Sequence, residues 1–111
     1  MSSISTHVLD LVRGGPASGV GVRLERDDGG WAEIAAGATD ADGRIPALVP
    51  RGAGRPGRYR ITFETGAWFD RVGDRGFYPY VQIVFDVPAG EEHYHVPLLL
   101  GPYGFSTYRG S

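Results

Sequence analysis

The chain has 111 residues and a formal net charge of −2, too weak a field to hold nucleic acid or an anionic membrane surface. It contains no Cys, which excludes disulfide frameworks and thiolate metal sites, and no stretch approaches the ~20 apolar residues of a membrane span. A 41% hydrophobic share at this length predicts one core and a single domain over residues 1–111.

The opening "MSSISTHVLDLVRGG" has only a short apolar run, interrupted by Asp10, which does not read as a signal peptide; a cytoplasmic protein is expected. "STHVLD" predicts a first strand with His7 and Leu9 on one face and Val8 on the other. After the turn residues of "RGGPASG", "GVGVRLER" alternates with the period of a strand, Val20, Val22 and Leu24 facing one way. "RDDGG" and "TDADG" read as turns, and Arg44 is the first residue out of the second. "PRGAGRPG" predicts a flexible loop. In "YRITFE", Tyr59, Ile61 and Phe63 share a face. "TGAWFDRVG" suits one or two helical turns closed by Gly73. "YVQIVFDV" aligns Val81, Ile83, Phe85 and Val87. "HYHVPLLL" puts Tyr94, Val96, Leu98 and Leu100 opposite His93, His95, Pro97 and Leu99. Short strands punctuated by turns predict an all-β antiparallel sandwich.

His7, His93 and His95 are the side chains best suited to chemistry. His95 lies opposite the apolar Val96 and Leu98, on a face that also carries Pro97 and Leu99. A histidine on a partly apolar, covered face is well placed for acid–base work near neutral pH. The plainer reading for each is a solvated or hydrogen-bonded surface residue. Zinc is a further alternative, because His-x-His on a strand points two rings the same way and His7 could be a third ligand. Arg44 reads as a surface loop residue on position alone. No Ser sits in a G-x-S-x-G context. The chain ends in "YRGS", directly after a strand-like stretch.

These segments resemble a known family. "STHVLDLVRGGPA", "TDADGRI" and "HYHVPLLLGPYGFSTYRGS", with "YRITFETGAWF" and "GFYPYV" between them, look like 5-hydroxyisourate hydrolase, the transthyretin-related enzyme of urate degradation. The likeness covers nearly the whole chain in order, and Trp68, Gly101 and Phe105 depart from residues common in the family. The resemblance implies a transthyretin-like (prealbumin-like) sandwich of two four-stranded sheets with one short helix, assembled as a homotetramer, a dimer of dimers with its sites between the dimers. It implies hydrolytic ring opening of 5-hydroxyisourate without metal or cofactor. His7 and His95 would activate water, Arg44 would orient substrate and oppose the developing charge, and Tyr108, Arg109, Gly110 and Ser111 with its carboxylate would contact substrate. His93 would be the structural member of its pair. The alternative within the same fold is a transthyretin-like carrier of small planar ligands, whose pattern shares "VLD" and "PYGFST" but lacks the His, Arg and "YRGS" counterparts.

Overall fold

The alternation read from the sequence is satisfied by two stacked sheets whose inner faces close on each other. A computed structural model describes residues 1–111. It contains nine strands and one helix: β1 (Ser2–Asp10), β2 (Gly15–Pro16), β3 (Gly21–Asp27), β4 (Trp31–Ala38), β5 (Arg44–Gly54), β6 (Gly57–Phe63), α1 (Thr65–Val72), β7 (Val81–Val87), β8 (His93–Leu100) and β9 (Phe105–Thr107). One sheet runs β4-β3-β6-β7; the other runs β2-β1-β8-β9, with β5 also on β1. β5 pairs with Ser2–His7 and β2 with Leu9–Asp10, so these two strands share one flank of β1. The sandwich is therefore four positions wide in both sheets, one position being divided. All pairs are antiparallel except β1 with β8, which run parallel.

The core lies where the predicted faces meet. Val20 just before β3, Val22 and Leu24 of β3 and Tyr59, Ile61 and Phe63 of β6 pack against Ile4 and Val8 of β1 and against Tyr94, Val96, Leu98 and Leu100 of β8. Full burial of such a side chain contributes about 1.5–3 kcal/mol. On β7, Val81 and Val87 are buried while Ile83 and Phe85 are only partly covered, as befits a strand at the sheet edge. The helix closes one end: Trp68 and Phe69 are buried, and the Trp68 indole N–H donates to the Ser18 carbonyl at 2.9 Å. Gly73 ends it at φ 79°, a left-handed conformation that suits glycine. It is too short to cross a membrane.

The expected loop "PRGAGRPG" is mostly strand. β5 continues to Gly54 and β6 starts at Gly57. Gly54 is needed for contact, since a Cβ there would sit 2.5 Å from the Ser2 carbonyl oxygen. Its glycine reads as flexibility in sequence and acts as close backbone approach in the fold. β4 was not legible as a strand, because nearly all its side chains are exposed and no apolar alternation marks it.

The turn before β5 places Arg44. Asp40 Oδ1 accepts the N–H groups of Asp42 and Arg44, both at 2.9 Å. The Gly43 carbonyl accepts the Val8 N–H at 2.7 Å, locking the turn onto β1 with Arg44 opposite His7. Gly43 has φ 73°, and a Cβ on it would lie 2.5 Å from the Val8 carbonyl oxygen. Gly43→Ala is expected to destabilise the fold by at least ~1–3 kcal/mol, the cost of a non-glycine residue held in a sparsely populated backbone region. Urea unfolding measures this; an unchanged midpoint would show that the turn is not clamped as described.

Candidate active site

Parallel pairing of β1 with β8 aligns their outward faces in register. Ser3 is opposite His93, Ser5 opposite His95, and His7 opposite Pro97. With a side-chain period of two, Ser3, Ser5 and His7 share the outer face with His93 and His95. On the other flank of β1, His7 pairs with Arg44. Three adjacent strands thus deliver His7, Arg44 and His95 to one surface. A cavity of about 230 Å³ opens there, lined by Ser5, Thr6, Arg44, Pro46, His93, His95 and Ser111. The His7 ring stands beside it, its centroid 6.4 Å from that of His95 and tilted by 37°.

The electrostatics of this surface are one-sided. Arg44 makes no ion pair with a carboxylate. Burial pushes the His95 imidazole below its ordinary value of 6.5, and repulsion from His7, Arg44 and His93 pushes the same way. At neutral pH His95 is therefore the uncharged ring, the form able to accept a proton. Its Nδ1 lies 2.8 Å from Ser5 Oγ. With Nδ1 committed to Ser5, Nε2 is the nitrogen available to a ligand.

The terminal residues divide between two places. The Gly110 N–H donates to the His95 carbonyl at 2.8 Å, and a Cβ at Gly110 would meet His95 Cδ2 at 2.5 Å. Only glycine lets the chain lie this close to the ring, and it delivers Ser111 to the cavity. Tyr108 and Arg109 are not brought to that cavity. They line a separate cleft of about 340 Å³ at the open edge between the sheets, with Ile83, Phe85, Tyr94 and Val96. The Arg109 guanidinium stacks 4.4 Å over the Tyr94 ring, and its Nη2 donates to the His93 carbonyl at 3.4 Å and reaches Glu92 at 3.6 Å.

Ser5 was missed in the sequence, although period two from His7 puts it on the same face. Its importance depends on the parallel register with β8, which no local pattern announces. His93 is exposed and hydrogen-bonded at both ring nitrogens, to Ser3 and to Ser5. No group of three His, Cys, Asp or Glu side chains is arranged to hold a metal ion. Chemically, the surface offers an uncharged base, a free cation and a second imidazole around a polar recess. That set suits attack of water on a polarised carbonyl.

Comparison with known proteins adds relatives to this geometry. The model of the HIUase/Transthyretin family matches residues 4–110. The chain is 50% identical over 109 residues to the 5-hydroxyisourate hydrolase of Salmonella dublin, covering 97% of this chain and 80% of that protein. The solved 5-hydroxyisourate hydrolase of Klebsiella pneumoniae is 45% identical, covers 100% of both chains and superposes with a TM-score of 0.89. Sea bream transthyretin, solved in complex with thyroxine, is 36% identical, covers 97% of this chain and 94% of its own, and superposes with a TM-score of 0.90.

The electrostatic description is testable by titration. Histidine NMR is expected to place the His95 midpoint below 6.5. Removing the Arg44 cation disfavours imidazolium less, so Arg44→Gln should move that midpoint upward. A midpoint that stays put or falls would show that Arg44 does not face His95.

Proposed function

The chain belongs to the HIUase/Transthyretin family, and we propose that within it the protein is a 5-hydroxyisourate hydrolase of urate degradation. The fold alone does not choose between enzyme and carrier, because the hydrolase and the thyroxine-bound transthyretin superpose equally well. The observation that carries the proposal is the convergence of His7, Arg44 and His95 on one polar recess reached by Ser111. A carrier of flat ligands has no need of an uncharged base beside an unpaired cation.

In this reading the flat, polar ring lies in the recess with a ring-amide carbonyl near Arg44. His95 takes a proton from water at Nε2 as the oxygen attacks the carbonyl carbon. The Arg44 guanidinium opposes the charge growing on the carbonyl oxygen, and preorganised donors of this kind typically contribute ~10²–10³ in rate. Collapse of the tetrahedral adduct breaks the C–N bond, and a histidine returns a proton to the leaving nitrogen; His7 is near enough to share in this through a bridging water. The product carries a carboxylate and a ureido group. Ser111 contacts substrate, Gly110 brings it there, and Tyr108 and Arg109 anchor the tail across Tyr94.

The reading extends to assembly and location. Leu11, Val12, Tyr103, Phe105 and Tyr108 are exposed apolar side chains, of the kind that association covers. A homotetramer formed as a dimer of dimers would cover the recess and turn it into part of a channel. The protein would act in the cytoplasm.

Generating 5-hydroxyisourate from urate with urate oxidase and following its ultraviolet absorbance tests the activity. Added protein should speed the decay well beyond the spontaneous rate. His95→Asn should lower kcat by ~10²–10⁴ with KM changed modestly, roughly 3–5 kcal/mol of barrier. Light scattering should give roughly four times the 12.0 kDa chain mass. Binding of the ring without faster decay would favour the carrier.

A further inference from the structure

Behind His95 the outer faces of β1 and β8 form a continuous hydrogen-bonded chain. Ser5 Oγ lies 2.8 Å from His95 Nδ1 and 2.8 Å from His93 Nε2, and His93 Nδ1 lies 2.7 Å from Ser3 Oγ. The spacing follows from the parallel register: Ser3 and Ser5 interleave with His93 and His95, so each hydroxyl meets a ring nitrogen. His93 also lines a second cavity of about 300 Å³, with Met1, Ser3, Arg51, Glu91 and Glu92. The chain therefore runs from the recess beside Arg44 to a solvent-facing pocket that carries two carboxylates.

We propose that Ser5 and His93 form a proton relay behind His95, which stores on exposed His93 the proton that His95 takes from the attacking water. The proposal rests on the hydrolase reading of the same recess. One polarity makes the chain self-consistent with His95 as base. His95 Nδ1–H donates to Ser5 Oγ, the Ser5 hydroxyl donates to His93 Nε2, and His93 Nδ1–H donates to Ser3 Oγ. Both rings are then neutral, and His95 Nε2 holds a free lone pair.

The proton balance closes without a co-reactant. As water attacks, a C–O bond forms and one water proton bonds to His95 Nε2. The Nδ1 proton moves to Ser5 Oγ, and the Ser5 proton moves to His93 Nε2. His95 remains neutral and His93 becomes the imidazolium. When the C–N bond breaks, the transfers reverse: His93 returns its proton through Ser5, and the Nε2 proton passes to the leaving nitrogen. The carboxylic acid so formed then ionises to solvent.

The benefit is electrostatic. An imidazolium at His95 would be partly buried beside Arg44 and His7, the same surroundings that push its pKa down. At His93 the same charge is exposed to solvent, in a pocket that holds Glu91, paired with the Met1 ammonium, and Glu92, paired with Arg109, together with Arg51, so water rather than a free carboxylate solvates it. The arrangement is the triad logic of a base oriented by a partner behind it, with a Ser–His pair in place of a carboxylate. It changes the expectation that His93 is merely structural.

Two measurements on the protein test this. Histidine nitrogen NMR, which needs no turnover, should find His95 and His93 both as the Nδ1–H tautomer. In Ser5→Ala, His95 should shift toward the Nε2–H form that free imidazoles favour. In the decay assay, Ser5→Ala should lower kcat roughly ten- to a hundred-fold, less than the ~10²–10⁴ of the proton-transfer group itself, with KM little changed. Ser5→Thr, which keeps the hydroxyl, should retain most activity. His93→Ala should fall similarly and be partly rescued by added imidazole, with thermal melts as the folding control. The relay is overturned if Ser5→Ala keeps native kcat, if its loss comes without a change of His95 tautomer, or if imidazole fails to restore His93→Ala. A native protein that leaves the spontaneous decay unchanged would instead sink the hydrolase reading, whatever the tautomers show.

Discussion

The whole site depends on one pairing, the parallel ladder between β1 and β8. Antiparallel neighbours are easily made by hairpins, whereas a parallel pair must be closed across a long crossover. Here the crossover is almost the entire domain, since β1 opens the chain and β8 nearly ends it. The ladder fixes which residues meet: Ser5 with His95, Ser3 with His93. A slip of one residue would turn these side chains into the core and the core residues Tyr94, Val96 and Leu98 toward solvent. Their burial holds the register, so the hydrophobic core and the polar relay are two faces of one constraint.

Two glycines then complete the surface by close approach. Gly43 presses its turn against Val8 and sends Arg44 out opposite His7. Gly110 lies flush on the His95 ring and brings Ser111 to the recess. Arg44 and three imidazoles gather around the recess and no Asp or Glu side chain lines it. Burial, reinforced by that imbalance, keeps His95 uncharged, and the free cation suits a reaction in which negative charge develops on a carbonyl oxygen. The far end of the proposed relay, at His93, is exposed to solvent, where a stored proton is hydrated.

Much of this was legible in the sequence, for identifiable reasons. Val20, Val22 and Leu24, Tyr59, Ile61 and Phe63, and the inner face of β8 announce themselves by period two because one side of each strand is buried. The helix showed itself through the i, i+4 spacing of Trp68 and Val72 and through Gly73. β4 did not, because both its faces are largely exposed. The glycines of β5 read as loop because composition cannot separate flexibility from close packing. His7 and His95 came to notice as histidines on strand faces, whereas Arg44 read as a surface loop residue and was singled out only through resemblance. Ser5 and its contacts with His93 and His95 were hidden, because they depend on a pairing between segments almost a full chain length apart. The split of "YRGS" between two cleft walls was hidden likewise, since it depends on the tail crossing the edge of β8.

The most direct test of the central claim is a crystal structure with a flat, non-hydrolysable oxopurine analogue bound. The ring is expected in the recess on the outer face of β1 and β8, with Arg44 on a carbonyl oxygen, His95 Nε2 facing the carbon to be attacked, and Ser111 at its edge. An analogue seated instead in the cleft of Tyr94, Tyr108 and Arg109, with the recess unused, would contradict it.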